Sequence, residues 1–164
     1  MKLEFFVPGI AKPAGSKIAQ TYRRKDGSLV TRDNGSVVIG TRDASGKAGK
    51  DWRKNVTEFA RIAMVGRQPF DCPVKLALYF VVPRPKNQFG SGRNAAVVKP
   101  SAPGWPAVKP DTTKLTRSVE DALTVAGVWT DDSLVCQQFA SKDYAKADEQ
   151  PGVHVRIEII GGAA

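Results

Sequence analysis

The sequence predicts an α+β fold: a small mixed β-sheet with two main helices packed on it, in a single domain spanning residues 1–164. Two kinds of pattern favour this class, namely short β-branched or alternating stretches and two segments with apolar residues at helical spacing. The length of 164 residues suits one hydrophobic core and is short for two. No stretch approaches the roughly 20 apolar residues of a membrane span, so we expect no membrane association and a cytoplasmic protein.

The N-terminal segment predicts a strand followed by a basic loop. Leu3 to Val7 is an apolar, aromatic run closed by Pro8-Gly9, which is typical of a strand that ends in a turn. The next segment, Ala11 to Ser16, is rich in turn-forming residues and is followed by Lys17. Backbone amides in this loop, together with Lys12 and Lys17, could approach a phosphate.

A hairpin and a helix are predicted next. The turn signals Lys25-Asp26-Gly27 and Asn34-Gly35 predict a small hairpin with strands at Ser28 to Thr31 and Ser36 to Ile39. Apolar residues then recur at helical spacing, with most cations on the other side. This pattern predicts an amphipathic helix over Ala44 to Met64.

The second half of the chain predicts a strand, a long loop and a helix. Val74 to Val82 is β-branched and aromatic and predicts a central strand. Six prolines and three glycines in residues 83–110 exclude a regular element, and we expect a flexible basic loop that either covers a substrate or is a plain linker. Asp111 is a candidate N-cap for a helix that Gly127 ends. Two further strands complete the domain: Leu134 to Phe139 and Val153 to Ile160.

Charge indicates a polyanionic partner. The chain has 25 Lys and Arg against 16 Asp and Glu, a net charge of +9. Residues 72–110 contain no acid, whereas five acids lie within the next 22 residues: Asp111, Glu120, Asp121, Asp131 and Asp132. Clustered carboxylates in a basic protein suit a metal-dependent enzyme that acts on phosphodiesters. The alternative is that the basic runs are solvated surfaces and the acids cap helices.

Cysteine and histidine content argues against other site chemistries. Cys72 and Cys136 are far apart in the chain, and there is a single histidine. A zinc site, a disulfide framework or a histidine-based triad is therefore not expected, and we expect two reduced thiols in the core.

Three linked motifs resemble the RusA family of Holliday junction resolvases. The family pattern is a Lys/Arg-Pro-Asp-x-Asp-Asn-Leu-x-Lys stretch, an Asp-Ala-Leu helix and a Gly-x-x-x-Asp-Asp turn. Its fixed spacing over some two dozen residues makes it far more specific than a lone Asp-Asp. The matching segments here are Lys109-Pro110-Asp111-Thr112-Thr113-Lys114-Leu115-Thr116-Arg117, Glu120-Asp121-Ala122-Leu123 and Gly127-Val128-Trp129-Thr130-Asp131-Asp132.

The resemblance implies a homodimeric endonuclease that depends on Mg²⁺, with Mn²⁺ as an alternative, and that resolves four-way or branched DNA by symmetric paired nicks. It implies that Asp111 and Asp132 are catalytic metal ligands, that Asp131 is a supporting ligand, and that Arg117 is a catalytic cation. Four lysines would contact DNA phosphates: Lys12, Lys17, Lys109 and Lys114. The host would be a bacterium or a phage-infected bacterial cell.

The sequence departs from the family pattern at three positions. The second aspartate is Thr113, the asparagine is Lys114 and the catalytic lysine is Arg117. A hard cation in phosphodiester hydrolysis needs oxygen ligands, and Thr113 keeps an oxygen but loses a charge. Another carboxylate could supply that charge: Asp131, Glu120 or Asp121. The competing hypothesis is a catalytically impaired protein that binds branched DNA on the same scaffold.

Overall fold

A four-stranded mixed sheet carries two α-helices on one of its faces. The computed structural model describes residues 2–15, 17–146 and 148–161, without the side chains of residues 17, 42 and 43. Within those ranges the elements are β1 (Lys2–Pro8), β2 (Lys17–Thr21), β3 (Ile39–Asp43), α1 (Gly46–Ala63), β4 (Val74–Val82), α2 (Thr112–Ala126), β5 (Val135–Tyr144) and β6 (Gly152–Ile159).

The strand order of the main sheet is β1-β6-β4-β5, and β2 and β3 form a separate two-stranded sheet. Strand β6 is antiparallel to both β1 and β4, whereas β4 and β5 are parallel. A parallel pair needs a long crossover connection, and the segment that contains α2 provides it. The mixed sheet and the predicted α+β class are confirmed.

The core lies between the sheet and the two helices. Strand β4 is central, as its continuous apolar sequence predicts; its helix-side residues Leu76, Leu78 and Phe80 are buried, whereas Tyr79 on the other face is exposed. Helix α1 buries Trp52, Val56 and Ala60, which are four residues apart, and α2 buries Leu115 and Val119 in the same cluster. Truncating Trp52 or Leu115 to alanine is expected to cost about 2–5 kcal/mol of unfolding free energy.

Helix α2 has the boundaries that the sequence predicts. Asp111 occupies the N-cap position, and Gly127 ends the helix in the left-handed region with φ 74°. The hydroxyl of Thr57 on α1 donates to the carbonyl of Ala122 at 3.2 Å, which ties the two helices together. Motif residues of α2, among them Leu115 and Leu123, are thus also the residues that pack in the core and orient the helix.

Part of the predicted hairpin forms. Around the Asn34-Gly35 turn, Thr31 and Val37 make an antiparallel bridge, and the amide of Val38 donates to the carbonyl of Val30 at 2.8 Å. The other turn signal closes a second tight turn with the bridge Arg23–Leu29, and the longer pairing of β2 with β3 was not predicted. Residues 17–43 are called the ribbon below.

The proline-rich segment 83–110 contains two single-turn 3₁₀ helices, Lys86–Gln88 and Gly92–Asn94, and no longer element. The Arg84 guanidinium donates to the carbonyl of Pro103 at 2.9 Å and lies 4.1 Å from the Tyr144 ring centroid on β5. These contacts attach the loop to the edge of the sheet. Its flexibility and its role over a substrate stay predictions.

Both cysteines are free, but the expectation that they lie in the core is wrong. Cys72 is half-buried and Cys136 is exposed. Cys136 lies near the start of β5, an edge strand of the sheet. No helix among the described residues is long and apolar enough to cross a bilayer.

Candidate active site

A basic cleft opens at the N-terminus of α2. It has a volume of about 410 Å³ and combines Asp111 with three of the lysines predicted to bind phosphates, Lys12, Lys109 and Lys114. The fourth predicted lysine, Lys17, begins β2, but its side chain lies outside the described residues. Residues from two distant segments thus meet around one carboxylate, as a phosphate-binding site requires.

Backbone and side-chain hydrogen bonds hold the cleft together. The amide of Ala14 donates to the carbonyl of Lys114 at 2.8 Å, which fastens the basic loop to α2. From β5, the Lys142 ammonium donates to the carbonyls of Val108 and Pro110 at 2.7 and 2.9 Å. No pattern in the sequence indicates Lys142, because its contacts depend on β5 running back beside α2.

Asp111 is available to a ligand although it caps the helix by position. Within the described part of the chain its side chain makes no capping hydrogen bond. The Lys114 ammonium lies 3.8 Å from its Oδ2, and both side chains are more than half exposed. Such an exposed pair contributes little to stability, so its geometry can change at low cost when a phosphate or cation binds.

The acidic turn lies beyond the other end of α2. Residues 128–130 are held by Phe70, whose amide donates to the Val128 carbonyl at 2.9 Å and whose carbonyl accepts from Thr130 at 3.0 Å. Asp131 then caps a short 3₁₀ turn, because its Oδ1 accepts from the Ser133 amide at 2.8 Å. Hydrogen bonds from Ser133 hold the pKa of Asp131 below its usual value. Asp132 is exposed beside it.

Asp132 lies near a second carboxylate, Glu120 on α2. Burial raises the pKa of Glu120 above its ordinary value, the negative charges of Asp132 and Asp121 raise it further, and a hydrogen bond with the Gln138 side chain on β5 opposes them. Of the three carboxylates that could replace the charge lost at Thr113, Glu120 is therefore a neighbour of Asp132 on the helix side of the sheet.

Asp131 and Asp121 are less suited to that role. The carboxylate of Asp131 is engaged with Ser133. Asp121 lines a different cleft, of about 570 Å³ between α1 and α2, together with the cations Arg53, Lys54 and Arg61. Asp121 therefore faces a cleft other than the one at the acidic turn.

The raised pKa of Glu120 predicts a pH-dependent effect of Glu120→Gln on stability. The folded protein holds this proton more tightly than the unfolded chain, so an unfavourable contribution appears as the pH rises above the ordinary value of 4.5. In EDTA, the variant should melt about 1–3 °C higher than the wild type at pH 7 and at nearly the same temperature at pH 4. Differential scanning calorimetry at both pH values checks this; an equal shift at both would remove ionisation as the cause.

Asp111 and Asp132 do not converge within one chain. Asp132 is near Glu120, which follows Asp111 by nine residues, or about 13 Å along a helix. Lys142 contacts Pro110 at the Asp111 end, and it lies seven residues, or about 23 Å, from Val135 at the Asp132 end of the same strand. Both measures place the two carboxylates toward opposite ends of α2.

The donor groups at the acidic turn fit a divalent cation. Mg²⁺ takes oxygen ligands, commonly one or two carboxylates completed by water. Asp132 and Glu120 are carboxylates whose charges interact, so they are the candidate donors here, whereas no three histidine, cysteine or carboxylate side chains among the described residues form a single metal-binding group. Asp111, Asp131 and Asp132 therefore do not form one three-carboxylate group within the chain as described.

Arg117 is exposed on α2 between the two carboxylate positions. It follows Thr113 by one helical turn and precedes Glu120 by three residues, so the three side chains share a side of the helix. Within the described residues it forms none of the ion pairs of the structure. Its guanidinium is thus exposed on the stretch of α2 between Asp111 and Glu120.

The comparison with known families identifies the class of protein to which this site belongs. The family model described as Endodeoxyribonuclease RusA matches residues 19–158. The chain belongs to the RusA family. It is thereby related to DNA endonucleases that act on Holliday junctions. No curated protein matches the chain.

Membership of the RusA family indicates which positions of α2 correspond to the family motif. The RusA match includes α2 and the acidic turn, where Thr113, Lys114 and Arg117 depart from the family pattern. The carboxylate on α2 that senses the charge of Asp132 is that of Glu120, two helical turns after Thr113. The spacing of seven residues, which returns to the same helix face, is the sequence signal that favours Glu120 over its neighbours.

Proposed function

We propose that this RusA-family protein is a metal-dependent endonuclease of the bacterial or phage-infected cytoplasm that resolves Holliday junctions by symmetric paired nicks. The observation that carries the proposal is the basic cleft, in which Lys12, Lys109 and Lys114 surround Asp111. Lysines from two distant segments supply the positive charge that attracts a phosphodiester. Membership of the RusA family supports endonucleolytic cleavage of DNA as the reaction.

The proposed cofactor is Mg²⁺, with Mn²⁺ as an alternative, held by Asp132 and Glu120. When bound, the metal would polarise phosphoryl oxygens and lower the pKa of an attacking water. Arg117 stabilises the charge that develops on the phosphate, although a guanidinium cannot exchange a proton as an ammonium can. The three cleft lysines orient the strand, and the predicted contact of Lys17 would add to them.

We also propose a homodimer, because two symmetric cuts need two equivalent sites. The separation of Asp111 and Asp132 within one chain supports a stronger form of this proposal. Ligands of one cation lie within a few ångströms of each other, since each is bonded at about 2.1 Å from Mg²⁺. A second copy could supply its Asp111 to the Asp132 end of the first, so that each site is shared between protomers.

The test is cleavage of a labelled four-way junction and a matched linear duplex, with Mg²⁺ or with EDTA. Paired nicks that require metal and occur on the junction alone support the resolvase. Tight binding of the junction without cutting in Mg²⁺ would instead identify the branched-DNA binder, the alternative that Thr113 and Lys114 favour. Cleavage of both substrates at equal rates would contradict junction specificity.

Restoring the family aspartate with Thr113→Asp is expected to reduce the Mg²⁺ concentration needed for half-maximal cleavage by about threefold to tenfold. A carboxylate at 113 adds negative charge on the helix side that carries Glu120, and charge is what a hard cation binds most strongly. Titration of Mg²⁺ at fixed junction concentration measures the effect. Thr112→Asp is the matched control, since it adds the same charge one residue away, and an equal improvement there would indicate a general field rather than a ligand.

A further inference from the structure

The ribbon is separate from the main sheet. Strands β2 and β3 pair with each other from Lys17–Asp43 to Thr21–Ile39, and neither joins the four-stranded sheet. Between residues 18 and 41 no residue is buried, and four are intermediate: Leu29, Val30, Val38 and Gly40. A two-stranded ribbon of five residue pairs extends about 17 Å, and on its own such a ribbon has little stability in water.

The end of the ribbon carries two matching turns. The segments Arg24-Lys25-Asp26-Gly27-Ser28 and Arg32-Asp33-Asn34-Gly35-Ser36 start eight residues apart and have similar sequences. In each turn the arginine amide donates to the serine carbonyl, at 2.8 and 2.9 Å, and the glycine amide donates to the arginine carbonyl, at 3.0 and 2.8 Å. Both glycines have positive φ, 85° and 80°, as these turns require.

The side chains within the two turns also match. Asp26 Oδ1 accepts from the amide and hydroxyl of Ser28, and Asn34 Oδ1 accepts from the same groups of Ser36. The carboxylate of Asp26 is thus hydrogen-bonded within its own turn. Arg24 and Arg32 therefore hold equivalent, exposed positions at the mouths of two equally built turns.

Further cations and an aromatic ring lie beside these arginines. Arg23 and Lys25 are also exposed at the first turn. The two turns contain only two acidic residues, Asp26 and Asp33. The Tyr22 ring lies over Gly40, where a side-chain carbon would overlap it, and it remains 46% exposed. Exposed cations together with a flat aromatic ring favour a nucleic-acid surface over a protein or apolar ligand.

We propose that the ribbon is a second DNA-binding element, in which Arg24 and Arg32 contact two phosphates of a duplex arm outside the basic cleft. A two-stranded ribbon fits a DNA groove, and paired arginines at repeated turns suit a backbone that repeats its charge. The inference rests on the proposed DNA substrate but not on catalysis. In this arrangement the ribbon binds the arm of a junction, while the basic cleft binds the strand to be cut.

The test is the affinity of the full-length protein for a synthetic four-way junction in EDTA, measured by fluorescence anisotropy over a range of salt. Arg24→Ala combined with Arg32→Ala should weaken binding about tenfold and lower the slope of log Kd against log salt by about two. Arg67→Ala combined with Lys146→Ala removes the same charge outside the ribbon and the cleft and should leave both quantities close to wild type.

Two further arms locate the contact. Replacing residues 22–38 with Asn-Gly joins the paired residues Thr21 and Ile39 by a two-residue turn, and it should reproduce the loss without unfolding the domain. On a junction with arms trimmed to a few base pairs, wild type and variants should bind alike. Unchanged affinity in the double variant, or an equal loss in the Arg67 and Lys146 control, would overturn the proposal. Binding that depends on the ribbon without any cutting would leave it standing while the nuclease proposal fails.

Discussion

Asp132→Asn is expected to reduce junction cleavage by about 10²–10³-fold while leaving junction affinity in EDTA within about twofold. Each tenfold corresponds to about 1.4 kcal/mol of transition-state free energy, and losing a metal ligand removes several kcal/mol of charge stabilisation. Asp132 is exposed and close to Glu120, so the neutral amide fits the same space. Single-turnover cleavage and anisotropy, measured on one preparation, separate the two effects.

Asp131→Asn is the matched control for this prediction. It makes the same chemical change one residue away, on a carboxylate that accepts from the Ser133 amide and caps a 3₁₀ turn. An amide oxygen can still accept that bond, so we expect less than a tenfold fall in cleavage. If Asp131→Asn were the inactive variant and Asp132→Asn the active one, the two residues would have to exchange roles. Equal loss in both would support Asp131 as a second ligand.

The sequence predicted α2 well because its limits are local. Asp111 and Gly127 mark the helix ends by their own conformational preferences, and the buried stripe at Leu115 and Val119 repeats at helical spacing. The ribbon was predicted only in part, for the opposite reason. The turns at Gly27 and Gly35 are local, but the pairing of β2 with β3 joins residues that are 18 to 26 positions apart.

The site was predicted in parts rather than as a whole. The sequence predicted Asp111 and the nearby lysines as site residues. In the structure, Lys12, Lys109 and Lys114 line the same cleft as Asp111. The partnership of Glu120 with Asp132 depends on β5 running back beside α2, where Gln138 meets Glu120. The seven-residue spacing from Thr113 places Glu120 on the same helix face, but no local pattern encodes its interaction with Asp132, which only the fold reveals.

The distance between Asp111 and Asp132 leads to the prediction with the clearest signature. Asp111→Asn and Asp132→Asn are each expected to reduce cleavage by about 10²-fold or more. If each site combines Asp111 of one protomer with Asp132 of the other, a mixed dimer of the two variants contains one intact site and one doubly altered site. Mixing the inactive variants, after reversible dissociation, should then restore nicking of one strand.

Sites contained within one chain give the opposite result, because both sites of every mixed dimer would then carry one substitution. The measurement is single-turnover cleavage of a junction labelled on both strands, so that single nicks are distinguished from paired cuts. A mixture of Asp132→Asn with Glu120→Gln is the control: these side chains are neighbours on one chain, so their mixed dimers should stay inactive. Silence in the first mixture would show that Asp111 does not act at the partner's acidic turn. Activity in the control would instead show that Asp132 and Glu120 do not belong to the same site.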